Sequence, residues 1–234
     1  MKISLLTPTR FRPLQMEHLI KSAYLLSNWK HGIEFIFYVD LDDTVSINTL
    51  VRLSNFYPLR WVEGERIVLS QMWNECYKEA SGEIMMHCGD DIVFGTDGWD
   101  DIVRKAFEEY DDRIVLVYGN DCIHGPNLAT HSFLHRNWIE TVGYFLPPYF
   151  VSDYNDTWLT DVARKINRLK YVPELITEHM HFSVGKASMD LNTQERLERA
   201  RLNNPGKIYE EKEIERIDGA RKLTNFIQEF KKWT

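Results

Sequence analysis

Residues 83–94, EIMMHCGDDIVF, run from a short apolar stretch directly into two adjacent carboxylates, Asp90 and Asp91. A continuous apolar run that stops at a glycine reads as a strand buried on both faces. The carboxylates decide what such a strand is for. In sheets of parallel strands, ligands gather outside the carboxyl ends, so Asp90 and Asp91 mark a binding rim.

The same signature recurs upstream. ISLLT (3–7), closed by Pro8, and IEFIFYVD (33–40) are apolar runs, and the second ends on Asp40 with Asp42 and Asp43 just beyond. Between them MEHLIKSAYLL (16–26) repeats apolar residues at Met16, Leu19, Ile20, Ala23 and Leu26, the spacing of a helix. Residues 45–56 place Val45, Leu50, Val51 and Phe56 on one helical face, and LRWVE (59–63) reads as a short strand. SQMWNECYKEASG (70–82) predicts a helix with Ser70 as N-cap and Gly82 as its stop. Downstream come an amphipathic helix with Trp99, Val103 and Phe107, a strand RIVLVYG (113–119), and the helices RNWIETVG (136–143) and SDYNDTWLTDVARKIN (152–167). Strands alternating with helices predict an α/β fold, a mostly parallel sheet covered on both faces. Past Gly185 the composition turns polar and charged, with helical stretches at 192–204 and 210–233 separated by Pro205-Gly206. Residues 1–185 are therefore expected to form one domain and residues 186–234 a C-terminal helical extension.

Composition narrows the setting. No window of the 234 residues approaches the roughly 18–20 apolar residues of a membrane span, and the N-terminus lacks the apolar core of a signal peptide, so a cytoplasmic protein is expected. Cys76, Cys88 and Cys122 are odd in number without C-x-x-C spacing, which suits a reducing compartment and small buried roles. A net charge of −7 gives no global pull toward nucleic acid.

Two carboxylates within about 4–6 Å repel each other unless a cation compensates, and a divalent metal is the natural one. The plainer alternative is a loop start that caps the helix at Trp99. In ITEHMHF (176–182), strand alternation puts His179 and His181 on one side with Thr177. Carboxylate and imidazole together suit Mn²⁺ or Mg²⁺ better than a structural zinc, whereas a hydrogen-bonded histidine pair on an edge strand is the plainer reading.

Thr7-Pro8-Thr9-Arg10 after the first strand, Asp40 after the second, N-x5-A-x-G-E at 74–83 and then Asp90-Asp91 resemble the GT-A fold glycosyltransferases of the inverting family 2 type. The likeness continues through WIETVGYF (138–145), NDTWLTDVARKIN (155–167) and EHMH (178–181), and covers residues 2–186. It implies a GT-A, Rossmann-like mixed sheet and an enzyme that takes a sugar from a nucleotide-sugar donor, expected to be a UDP-sugar. Thr7, Pro8, Thr9, Arg10 and Asp40 would hold the nucleotide, and the family's ribose-side carboxylate would be either missing or supplied by Asp90. Asp91, with His179 and His181, would hold the metal at the diphosphate, and Asp156 would be the general base. Gly89 stands where the family has the first Asp of its D-x-D pattern, and Asn155 where it often has Glu. Lys186, in SVGKAS, could close over the diphosphate or stand as an ordinary solvated lysine. Asp121, His124, His131 and Arg136 fall where the family places acceptor-facing groups. The acceptor itself is open: a glycan, a protein, a small molecule or a hydroxymethylated DNA base.

Two rival readings use the same residues. TRFRPL (9–14) is similar to the TRLxPL segment of sugar-1-phosphate nucleotidyltransferases, but the glycines that bring backbone N–H groups to a triphosphate are replaced by Thr and Pro. A non-catalytic nucleotide- or glycan-binding module on the same fold would bind a donor without turnover.

Overall fold

Every residue of β1 (Ile3–Thr9), β2 (Ile33–Asp40) and β4 (Ile84–His87) is buried, the condition of strands covered on both faces. The computed structural model describes residues 1–232 and arranges eight strands in the order β3-β2-β1-β4-β7-β6-β8-β5. The others are β3 (Leu59–Gly64), β5 (Ile92–Phe94), β6 (Leu116–Asn120), β7 (Ser132–His135) and β8 (Leu169–His179). β1 pairs in parallel with β2 and β4, and β2 with β3, while β7 runs antiparallel between β4 and β6. β8 lies parallel to β6, and β5 closes the far edge antiparallel to β8. The sheet is mixed and mostly parallel.

Alternate strand residues feed two apolar layers. One face, with Ile3, Leu5, Phe35 and Met86, packs under α1 (Pro13–Leu26), α2 (Thr44–Leu53) and α4 (Trp99–Glu108). The other, with Leu6, Ile36 and Met85, packs under α3 (Leu69–Glu79), α5 (Arg136–Val142) and α6 (Asn155–Lys165). The charged tail forms α7 (Leu191–Asn203), α8 (Pro205–Glu211) and α9 (Glu213–Phe230); Leu223 and Ile227 of α9 enter the second layer, and buried Arg216 bonds Asp161 at 2.9 Å. Trp233, at the end of the second predicted tail helix, lies outside the described residues.

Several local expectations are corrected. Pro8 does not close β1, which continues to Thr9, because the β1–β4 ladder ends at Leu6 and a missing N–H is tolerated beyond it. In α2, Asp43 accepts a bond from the Ser46 amide and sets the phase, so Ser46, Leu50 and Leu53 face the core while Val45, Val51 and Phe56 are exposed. Ser70 is not an N-cap: it is buried in the first turn of α3, donates to the Phe150 carbonyl at 2.8 Å and bonds the Asn155 side chain. That helix stops at Ala80, not at Gly82. Gly82 instead lies against β1, where an added Cβ would sit 2.5 Å from Ser4 Oγ. Cys76 and Cys88 are buried as expected, but Cys122 is exposed in a loop at φ 61°. β8 ends at His179, so His181 stands beyond the strand and caps a short 3-10 turn at Phe182–Val184. Among the described residues no helix is long and apolar enough to cross a membrane.

Candidate active site

The carboxyl ends of β1, β2, β4 and β8 open into one cleft of about 760 Å³, lined by Thr9, Asp40, Asp90, Asp91, Asp156 and His179 among others. Asp91 reaches its position through the sheet edge. β5 pairs with β8 in the register Ile92↔His179, and the Met180 amide donates to the Asp91 carbonyl at 2.8 Å. This lays the Asp91 carboxylate beside the His179 ring, Oδ1 to Nε2 3.4 Å. Gly89 makes the arrangement possible, since a Cβ there would lie 2.8 Å from Asp91 Oδ1 and 3.1 Å from the His131 ring.

The compensating cation beside the pair belongs to the protein. Arg12, just ahead of α1, donates to Asp90 Oδ1 at 3.0 Å and stands 3.6 Å from Asp91. Its Nε and Nη2 take both oxygens of Asp190 at 2.8 and 3.1 Å, and Nη2 also reaches Thr193 at 2.8 Å. Asp190 in turn caps α7 by accepting from the Thr193 amide at 2.7 Å. Burial works against the Asp190 charge, but the bonds from Arg12 and Thr193 outweigh it and hold the carboxyl at about 2.

The two central carboxylates separate electrostatically. Burial raises Asp90, and neither Arg12 nor the bond from Thr9 (2.9 Å) restores it. Burial also penalises Asp91, yet the His179 hydrogen bond and charge, with Arg12, hold its carboxyl well below the usual range. At the end of β2, Asp40 accepts from Arg10 at 2.7 Å, and burial still raises its carboxyl. Its Oδ1 is buried without a partner among the described residues. Asp156, in the first turn of α6, accepts from the Thr157 amide at 2.7 Å; burial, with Asp153 nearby, raises it above an ordinary aspartate. The turn before it is strained, with Tyr154 at φ 78°.

The cleft therefore gathers Pro8, Thr9, Arg10, Asp40, Asp90, Asp91, Asp156, His179, His181, Lys186 and His124. Lys186 is paired with Glu178 at 2.8 Å, and His181 turns Nδ1 to Ser183 at 2.7 Å while its ring stays 4.9 Å from that of His179. Three expected residues lie elsewhere. Thr7 is fully buried beneath the rim. Asp121 is buried in its own loop, accepting from the amides of Ile123, His124 and Gly125 and from the Thr130 hydroxyl, and so positions His124. Arg136, at the start of α5 behind β7, spends its guanidinium on the carbonyls of Gly82 and Ala80, away from the cleft. Asn155 is structural as well, bonded to Ser70 and to the Ser152 carbonyl. Sequence reasoning missed Arg12 and Asp190; the usable signal was D-x-x-T at 190–193, a helix cap in an otherwise charged tail. It also passed over His87, hidden inside an apolar run.

Asp91 and His179 are two donors close enough to share one ion. Among the described residues no group of three or more His, Cys, Asp or Glu is arranged to hold a metal. A two-donor site fits Mg²⁺ or Mn²⁺, which are commonly held by one or two protein groups with substrate phosphates and water.

No family model and no curated protein matches the sequence. Solved structures do match. S. aureus TarS 1–349 is 12% identical over 76% of this chain and 59% of its own, with a TM-score of 0.59. The same protein in complex with UDP-GlcNAc gives 13%, 76%, 57% and 0.60. The mannosyltransferase PcManGT from Pyrobaculum calidifontis, in complex with GDP-Man and Mn²⁺, is 16% identical over 76% of this chain and 56% of its own, at a TM-score of 0.63. The match spans less than two thirds of each of these chains. What they share with this protein is the architecture, a GT-A fold.

Proposed function

We propose that the chain is an inverting, metal-dependent glycosyltransferase that moves a sugar from a nucleotide-sugar donor, a UDP-sugar, to an acceptor hydroxyl. The observation that carries this reading is the meeting, in one cleft, of a nucleotide-side rim (Thr9, Arg10, Asp40), the Asp91–His179 pair and Asp156. The structures with similar folds include complexes with UDP-GlcNAc and with GDP-Man and Mn²⁺.

In this mechanism Asp40, with one buried oxygen unpaired, accepts an N–H from the nucleotide base, and Thr9 and Arg10 bound the same pocket. Asp91 and His179 would hold Mn²⁺ or Mg²⁺. When bound, the divalent ion neutralises charge on the departing diphosphate. Arg12 stands beside Asp91 and adds a fixed positive charge to that region. Asp156 takes the proton of the acceptor hydroxyl as its oxygen attacks the anomeric carbon. The new C–O bond forms on the face opposite the breaking bond to the nucleoside diphosphate, which leaves with the bonding pair. A base raised by burial matches this duty better than an ordinary surface aspartate. Residues 1–185 carry the transferase core in this reading, and the tail from 186 on supplies Lys186 and Asp190 to it.

The test is a thermal-shift panel of UDP-, GDP- and other nucleotide sugars with and without Mn²⁺, since a ligand bound only by the native state raises its stability by RT ln(1 + [L]/Kd). A Mn²⁺-dependent shift with one donor class is expected. No shift with any donor would sink the reading.

A further inference from the structure

Three buried polar side chains in the cleft wall have no use in this mechanism. His87, at the end of β4, is 4% exposed, His131, just before β7, 7%, and Ser152, ahead of α6, 5%. All three line the cleft, and both ring nitrogens of each histidine and the serine hydroxyl lack any partner among the described residues. Leaving such groups unpaired is costly, so a native protein keeps them only where something completes them.

Their chemistry narrows what that is. The His87 ring stands edge-on to Trp73, centroids 4.3 Å apart, and the indole N–H is already used on the carbonyls of Leu6 and Cys88. Burial pushes His87 down to about 3, so its ring is neutral, one donor and one acceptor. His131 packs edge-on to His179 at 4.8 Å. Arg10 and Arg12 are both committed to carboxylates at Asp40, Asp42, Asp90 and Asp190. A phosphate offers only acceptors and seeks cations. A sugar hydroxyl both donates and accepts, which is what a neutral imidazole and a serine hydroxyl can answer together.

We propose that His87, His131 and Ser152 form the floor of a sugar subsite that hydrogen-bonds the hydroxyl groups of the transferred sugar and thereby sets which sugar the cleft accepts. This rests on the transferase reading above. The experiment is calorimetric titration, in Mn²⁺, of the wild type and of His87→Phe, His131→Phe and Ser152→Ala with UDP, UDP-glucose, UDP-N-acetylglucosamine and GDP-mannose. The expected result is that the wild type binds one nucleotide sugar more tightly than its nucleoside diphosphate. The variants should bind the diphosphate as the wild type does, yet lose about tenfold in affinity for that sugar nucleotide, the size of one lost hydrogen bond. Ser152→Ala removes a single oxygen and decides the matter if a histidine variant does not fold. Variants that keep the full sugar increment overturn the subsite and leave the transferase reading standing; so does a wild type in which the sugar adds nothing to diphosphate binding. A wild type that binds no nucleotide and no nucleotide sugar removes the transferase reading, and the subsite with it.

Discussion

The two halves of the cleft are built on opposite terms. On the arginine side nearly every charge has its counterpart: Arg10 with Asp40 and Asp42, Arg12 with Asp90 and Asp190, Arg196 with Asp153. On the histidine side the polar groups are as deeply buried but unanswered, with His87, His131 and one nitrogen of His179 free of partners among the described residues. A network of ion pairs holds a shape before the ligand arrives, even with Asp40 Oδ1 left open, whereas a wall of unpaired buried groups is completed by the ligand and so discriminates among ligands. The first half is built for retention and the second for selection.

Substitutions that break this division should differ in size. Asp156→Asn, at the edge of both halves, is expected to lower kcat by about 10²–10⁴ while the donor KM stays within about threefold, measured by initial rates. In the wild type, turnover should fall on the acid side at a pH above that of an ordinary aspartate, because burial raises the Asp156 carboxyl and only its ionised form takes the proton. Asp91→Asn should reduce donor affinity in Mn²⁺ to its metal-free value. The sign of its pH effect follows from a depressed carboxyl: its stabilisation is complete above about pH 4 and is lost as pH falls, so the variant's acid denaturation curve should be flatter below that point. Asp190→Asn unclasps Arg12 from α7 and should weaken donor binding by about tenfold, read by titration, the scale of one charge-assisted pair. Asp42→Asn lies in the same half but is exposed and its Arg10 partner keeps Asp40, so donor affinity should stay within about twofold. If Asp42→Asn matched Asp190→Asn, the claim that burial sets the worth of these pairs would fail.

The strands that face helices on both sides were readable because burial on two faces leaves a continuous apolar run, as in residues 33–40 and 83–87. β5 and β7, of three and four residues, are too short to carry a period, so the antiparallel part of the sheet was not legible. Asp40 and Asp156 could be placed because each lies at the end or start of an element whose pattern is strong, and Asp91 because it follows closely on the apolar run of β4. Arg12 could not, because its importance depends on Asp190, 178 positions away, and no local pattern records such a pairing. Val45, Val51 and Phe56 misled for a related reason: a short helix tolerates more than one apolar stripe, and the cap at Asp43 chose between them.

The Arg12–Asp190 contact also sets an order of events during synthesis. β1, β2 and β4 can pair once residue 87 has left the ribosome, but the clasp on the arginine side must wait for about a hundred residues more. Until then Arg12 has only Asp90 and Asp91 to answer. A chain stalled before residue 190 would carry the sheet with Arg12 unclasped, its guanidinium open to any anion that could stand in for the missing carboxylate.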